Sequence, residues 1–250
     1  MNDLIAVLTQ LTGTAAEMWQ QAFAVFLRIG AVAALMPGFG EQSVPQRVRL
    51  GVALAFTAVV APSVDVPVLT LGGYGAEVVA GLALGLGLRL LVMALQTAAA
   101  MVAQASSLSQ LLGGAGEPQP AIGHLLTLGG IAVAMAAGLH LRLVEFLVLS
   151  YRAMPAGTLP DAGMLAEWGV AQVAHAFWLA FALAAPFVAG SLIYNVALGV
   201  INRAMPQLMV AMIGAPALSL GAMAMLAIVV PLALALWVAA LNGWLADPFG

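Results

Sequence analysis

Two long stretches without any charged side chain dominate the C-terminal half of the chain. Residues 168–202 contain no Asp, Glu, Lys or Arg, and neither do residues 204–246, so Arg203 stands alone between them. Of the 250 residues, 64% are hydrophobic and 7% are charged, whereas soluble domains contain about 45–50% and about 25%. Such a chain lacks the polar residues to cover itself with a water-facing surface. We therefore expect an all-α integral membrane protein built as one continuous helical unit.

The lengths of the apolar segments do not fit a simple series of membrane crossings. A bilayer core about 30 Å thick requires about 20 helical residues. The second segment is too short to cross, and the last two are too long, so we expect kinked helices and helical hairpins. Pro186, Pro216 and Pro231 are the predicted bends, because proline removes a backbone donor. The apolar segments lie at about residues 19–36, 48–62, 76–104, 120–151, 168–202 and 207–245.

The composition excludes several classes of function. The net charge is −3, and the basic residues are scattered arginines, so no basic patch is available for nucleic acid. The chain contains no lysine and no cysteine, which excludes a phosphate-binding P-loop and a thiol nucleophile. Neither a GxSxG nor an HExxH motif is present. We therefore predict a protein without enzymatic activity and without a cofactor.

Three arginines lie inside or at the ends of apolar helices, namely Arg28, Arg89 and Arg203. A guanidinium at the centre of a bilayer costs at least about 2.5 kcal/mol. None of the three has an acidic residue three or four positions away, which is the spacing for an ion pair within a helix. We expect their partners to be distant in sequence or on another chain.

A fourth arginine belongs to a polar cluster, His140, Arg142 and Glu145, inside the segment 120–151. Arg142 and Glu145 have the spacing of a local ion pair, and His140 would lie at a helix end. The alternative is a proton relay, for which membrane proteins use such residues. The local ion pair is the favoured interpretation.

Two further patterns predict close packing between helices. Gly81 and Gly85 are four residues apart, a spacing that lets helix backbones approach each other. Packing within this chain is the favoured interpretation. Met205, Met209 and Met212 would share one helix face, where flexible thioethers form either ordinary core or a deformable seal around a passing polypeptide.

A glycine-rich loop, SSLSQLLGGAGEP, follows the third apolar segment at residues 106–118. A loop of this kind is either a surface connector or, inside a membrane assembly, a gate. Its apolar residues and glycines are Leu108, Leu111, Leu112, Gly113, Gly114 and Gly116.

Two stretches resemble the FliR/SctT family of type III secretion export-gate proteins: FLRIGAVAALMPGFGEQSVPQRVRLGVALAFTAVVAP at residues 26–62 and ALGVINRAMPQL at residues 197–208. The turn SYRAMPAGTL at residues 150–159 also fits, and the resemblance covers essentially the whole chain. Among the branches of the family, the flagellar one is favoured over the injectisome. The matching residues are Arg28, Pro37, Gly40, Pro45, Arg47, Arg49, Gly199, Arg203, Pro206 and Gln207.

The resemblance implies a single-copy subunit of the export gate in the bacterial inner membrane, at the flagellar basal body. It implies assembly with FliP and FliQ into a channel for unfolded export substrates, with FlhB and FlhA as further partners and membrane lipid around the complex. Residues 1–163 would be FliP-like and residues 164–250 a FliQ-like helical hairpin. The loop 106–118 would be a plug, with its leucines as the seal and its glycines as hinges.

Two alternatives remain. The first is an injectisome homologue of the same gate. The second is a small-molecule secondary transporter, in which intramembrane Arg, His and Glu side chains would bind substrate or protons.

Overall fold

The computed structural model describes residues 2–40, 44–105, 121–205 and 210–249, with the side chains of residues 2–14, 121, 122, 210–216 and 219 left aside. All regular structure in these ranges is helical, which confirms the predicted all-α class. A short 3-10 helix, Ala61–Ser63, follows the second α-helix. The α-helices are α1 (Asn2–Leu35), α2 (Gln46–Val60), α3 (Leu71–Ala105), α4 (Ala121–Ala136), α5 (Leu139–Ala153), α6 (Ala162–Ala204) and α7 (Val210–Ala246).

The helix lengths depart from one bilayer thickness in both directions. With 43 residues, α6 is about 65 Å long at about 1.5 Å per residue, whereas α2 has 15 residues and is too short to cross. Both α6 and α7 continue through the prolines that were predicted to bend them. Within the part of the chain that the structure describes, four helical segments are long and apolar enough to cross a membrane: Ala15–Leu35, Leu71–Ala105, Ala162–Ala204 and Leu220–Ala246.

The apolar segment 120–151 is not one straight helix, because the chain breaks there into α4 and α5. The axes of α4 and α5 differ by 77°. Gly138 lies between them with φ 87° and ψ 27°, a left-handed conformation that costs glycine little and other residues considerably more. Proline was the expected source of bends, yet the sharp turn depends on a glycine.

The first of two compact units contains residues 1–89, 138–171 and 245–250. In this unit α1 and α2 are antiparallel, and Gln21 Nε2 of α1 donates to the carbonyl oxygens of Ala61 and Val64, at 3.1 and 2.6 Å. The start of α3 packs on α1 through Gly81 and Gly85. A Cβ at Gly81 would overlap the carbonyl oxygen of Arg28, so the prediction that this glycine pair serves packing within the chain is confirmed.

The second unit contains residues 90–137 and 172–244. Its core is built around Trp237 of α7, which is fully buried. The indole Nε1 donates to the carbonyl oxygen of Leu91 in α3 at 2.8 Å. Gly130 of α4 makes room for Leu95 beside the indole, because a Cβ there would lie 2.6 Å from Leu95 Cδ2, while the ring of Trp237 would be at an ordinary 3.4 Å.

These units do not follow the chain from end to end, because α3, α6 and α7 each contribute residues to both. The predicted division into residues 1–163 and 164–250 rests on the resemblance to two different subunits. Compact units defined by contacts do not test it. It stays a prediction.

Candidate functional site

The guanidinium of Arg28 is the largest polar group in the core of the first unit, with 0% of its surface exposed. It binds the carboxylate of Glu77, in α3, in a bidentate manner. Nε lies 2.8 Å from Oε2 and Nη2 lies 3.0 Å from Oε1. Both side chains are fully buried. Two parallel charge-assisted bonds of this kind fix direction as well as distance, so the pair sets the register of α1 against α3.

Glu77 accepts two further hydrogen bonds, one from the end of α5 and one from the turn that follows it. The hydroxyl of Tyr151 donates to Oε2 at 3.2 Å, and the backbone N–H of Gly157 donates to Oε1 at 2.8 Å. Gly157 has φ 73°, a conformation that favours glycine and turns its N–H toward the carboxylate. The carboxylate therefore has four donors for its two oxygens, which satisfies a buried anion.

Arg28 uses its remaining surface against α5. Its Nη1 lies 3.4 Å from Ser150 Oγ, and its Cζ lies 3.7 Å from the centre of the Tyr151 ring. A guanidinium over an aromatic face gains a further cation–π attraction. We call Arg28, Glu77, Ser150, Tyr151 and Gly157 the Arg28 cluster. It joins α1, α3, the end of α5 and the turn after α5.

The chemistry of the Arg28 cluster is that of a joint between helices. All three guanidinium nitrogens and both carboxylate oxygens are engaged inside the protein. Removing one member of a buried ion pair leaves an uncompensated charge and costs about 3–5 kcal/mol. The cluster thus makes the packing of three helices depend on two residues that are 49 positions apart.

Sequence reasoning found one half of this pair and missed the other. The expectation that the partner of Arg28 is distant in sequence is confirmed, but Glu77 was not named. The signal was present, because Glu77 is the one carboxylate between Asp65 and Glu117. A single acid in an apolar helix requires a cation, and Arg28 is the cation in the opening helix.

The other residues of the first family motif shape the connection between α1 and α2. Pro37 is buried in a turn. Gly40 follows it, and a Cβ there would lie 2.8 Å from two carbonyl oxygens of the preceding residues. Pro45 is the N-cap residue of α2. Arg47 is exposed and Arg49 is half-buried, both in the first turn of that helix.

The second family motif lies at the end of α6. Gly199 is exposed, and a Cβ there would have no atom within 4 Å. Arg203 is exposed in the last turn of α6, and Met205 follows with 56% of its surface exposed. Pro206, Gln207 and Met209 lie outside the described residues, as do the plug residues Leu108, Leu111, Leu112, Gly113, Gly114 and Gly116; Met212 belongs to α7, but its side chain is not described.

The predicted ion pair between Arg142 and Glu145 does not form. Both side chains are described and exposed on α5, and the structure holds no ion pair between them. His140 lies in the first turn of α5, as expected for a helix end. Spacing allows such a pair, but two long exposed side chains lose rotamer freedom to form it and gain little in return.

Comparison with known proteins identifies the family. A family model described as bacterial export proteins, family 1, matches residues 19–243. The flagellar biosynthetic protein FliR of Caulobacter vibrioides is 34% identical over 203 residues, which is 77% of this chain and 81% of that protein. FliR of Escherichia coli is 28% identical over 216 residues, 82% of each chain. FliR of Bacillus subtilis is 27% identical over 205 residues, 77% of this chain and 79% of that protein.

These matches confirm the resemblance that the motifs at residues 26–62 and 197–208 carried. They cover both compact units and the Arg28 cluster. The chain therefore belongs to family 1 of the bacterial export proteins and is a relative of flagellar FliR.

Proposed function

We propose that this protein is a membrane subunit of the flagellar type III protein export gate, and that it assembles with FliP and FliQ into a channel for unfolded export substrates. FlhB and FlhA are further proposed partners. The names of the relatives support the flagellar system over an injectisome. The protein would contribute no chemical step, and the energy for export would come from other components.

The end of α6 is the observation that carries the proposal. Gly199 and Arg203 are four residues apart on one exposed face of this helix. A guanidinium requires acceptors for its five N–H donors, and a protein surface can supply them as carboxylates or free carbonyl oxygens. The open space beside Gly199 admits a second helix at close range.

The apolar side chains around these two residues enlarge the same face. A contiguous exposed apolar surface is typical of a protein or membrane interface. The exposed large apolar residues on this side of α6 are Leu192, Val196 and Val200. A helix of about 65 Å is also about twice as long as a bilayer core requires, which favours contacts with other subunits beyond the membrane.

We propose further that α6 and α7 form the FliQ-like hairpin predicted for residues 164–250. The proposed boundary lies two residues after the start of α6 at Ala162. On this proposal the loop 106–118 is the plug, and Met205, Met209 and Met212 line the seal around a passing substrate.

The assembly proposal is tested by replacing the chromosomal copy with a tagged variant and measuring how much FliP and FliQ copurify. Arg203→Ala should lower recovery more than Arg203→Lys, because lysine keeps the charge. Gly199→Leu should also lower recovery, whereas Gly169→Leu serves as the control. Gly169 lies in the same helix, and a Cβ there would also have no atom within 4 Å. Equal and intact recovery of all variants would contradict the proposal.

The plug is tested separately, by deleting residues 113–116. The complex should still assemble, but inner membranes should become more permeable to small ions. Unchanged conductance in an assembled complex would remove the plug assignment without affecting the assembly proposal.

A further inference from the structure

A groove of about 430 Å³ runs along α1 in the first unit, between α2 and α3. Small residues of α1, among them Gly30 and Ala34, form its floor, while Leu50 of α2 and Leu82 of α3 form its walls. We call it the α1 groove. Its volume lies within the range of about 300–1,000 Å³ in which proteins hold small molecules.

One cation is present in an otherwise apolar lining. Every residue of the α1 groove is apolar except Arg49, which lies in the first turn of α2. Arg49 interacts with other parts of the chain. Its guanidinium has five N–H donors, so it can hold an anionic oxygen in addition to those interactions.

The N-terminus of α2 adds positive potential at the same end of the groove. Its first turn contains no acidic residue, and Pro45 provides no side-chain cap. The first N–H groups of a helix attract anions. Together with Arg49, they make one end of the α1 groove suited to a negative group and the rest suited to a hydrocarbon chain.

The charged end also lies at the right level for a lipid headgroup. The candidate span in α1 ends at Leu35, and α2 begins shortly after the turn that follows it. The groove runs from that end back along α1, as far as Phe26. In a membrane its charged end would meet the headgroup region, and its apolar part would meet the acyl chains.

We infer that the α1 groove binds one anionic phospholipid, with an acyl chain along Gly30 and Ala34 and the phosphate on Arg49. An anionic headgroup complements the single cation, and the apolar floor excludes a polar ligand. This inference does not depend on the proposed export function, because it concerns the chain and its lipid alone.

The test uses the full-length chain purified in mild detergent and titrated with phosphatidylglycerol or phosphatidylcholine of the same acyl composition. Native mass spectrometry measures the bound lipid. The unaltered chain should prefer phosphatidylglycerol. Arg49→Gln should weaken that binding about fivefold, which is the effect of one basic residue near an anionic surface. Arg47→Gln is the control, because Arg47 is exposed on the same helix and does not line the groove.

A second pair of variants tests the acyl-chain part of the site. Gly30→Leu fills the groove, and its Cβ has room, since the nearest atom would be Phe26 Cζ at 3.9 Å. It should remove the retained lipid. Gly51→Leu makes the same change in α2, where a Cβ would have no atom within 4 Å, and should retain it. Circular dichroism of each variant verifies that the helices are intact.

Four results would overturn the inference. The first is equal binding of the two lipids by the unaltered chain, and the second is an equal effect of Arg47→Gln and Arg49→Gln, which would indicate diffuse attraction. The third is binding of inorganic phosphate at Arg49 without any loss of bound lipid, which would show that the lipid phosphate does not lie on Arg49. The fourth is that Gly30→Leu retains as much lipid as the unaltered chain but copurifies with less of other proteins. That result would identify the groove as a protein contact.

Discussion

The two compact units hold their helices together by different physical means. In the first, a fully buried ion pair joins α1, α3 and α5, and Glu77 accepts bonds from three residues. In the second, Gly130 leaves room for Leu95, and the buried indole of Trp237 makes one neutral hydrogen bond to Leu91. The contact in the first unit requires two specific charged groups, whereas the packing in the second unit depends mainly on side-chain volume.

This difference predicts a difference in tolerance. A buried charge that loses its partner keeps its full desolvation cost, so the first unit should fail sharply when one member is changed. A packed apolar core relaxes around a changed volume, so the second unit should lose stability gradually. Charge in the first unit therefore specifies one register, whereas shape in the second allows small adjustments.

The largest effect is expected from Glu77→Leu, which leaves Arg28 buried without its carboxylate. The free energy of unfolding should fall by about 3–5 kcal/mol, measured by denaturant unfolding of the chain in detergent. The double variant Arg28→Met with Glu77→Leu removes both charges and should recover most of the loss. If the double variant is as unstable as the single one, the ion pair is not the source of the effect.

A smaller loss is expected in the second unit from Gly130→Ala. Its Cβ would press on Leu95 Cδ2, and overpacking costs about 1–3 kcal/mol, partly offset by the higher helix propensity of alanine. Gly129→Ala is the matched control, because its nearest atom would be Leu234 Cδ1 at an ordinary 3.4 Å. Equal unfolding midpoints for the two variants would show that volume does not limit this core.

A finer division of the Arg28 cluster comes from Tyr151→Phe. This change keeps the ring over Arg28 and removes the hydroxyl that donates to Glu77. It should cost about 0.5–1.5 kcal/mol, the value of one hydrogen bond, in the same unfolding measurement. Tyr151→Leu removes the ring as well and should cost more, because the cation–π contact is also lost. Equal costs would mean that the ring contributes nothing beyond its hydroxyl.

The smallest effect is expected from Arg142→Gln. This arginine is exposed and forms no ion pair with Glu145 in the structure, so the unfolding midpoint should not change measurably. A clear decrease would contradict the structure and restore the local ion pair that the i,i+3 spacing suggested.

Properties that depend on local composition could be predicted best from the sequence. The apolar segments predicted α3, α6 and α7 and the second half of α1, and the short second segment became the 15-residue α2. Features that depend on backbone conformation, and not on hydropathy, could be predicted least. The sharp break between α4 and α5 occurs at Gly138, whose left-handed backbone leaves no mark in hydropathy.

One part of the Arg28 cluster could be predicted from the sequence, and another part could not. Arg28 was singled out because a cation in an apolar helix is costly, and that argument needs no structure. Its partner, Glu77, and the ring of Tyr151 could not be named, because many arrangements of long apolar helices satisfy one hydropathy pattern. The proposed plug and the Pro206–Gln207 motif lie outside the described residues and stay predictions.

By itself the sequence determined that this protein is a helical membrane protein of an export family, because hydropathy, the absence of lysine and cysteine, and two short motifs are local properties of the chain. Only the tertiary structure decided which helices meet and through which atoms. The register of α1 against α3 is set by distances of about 3 Å between residues 49 positions apart, and such distances arise only when the helices have packed.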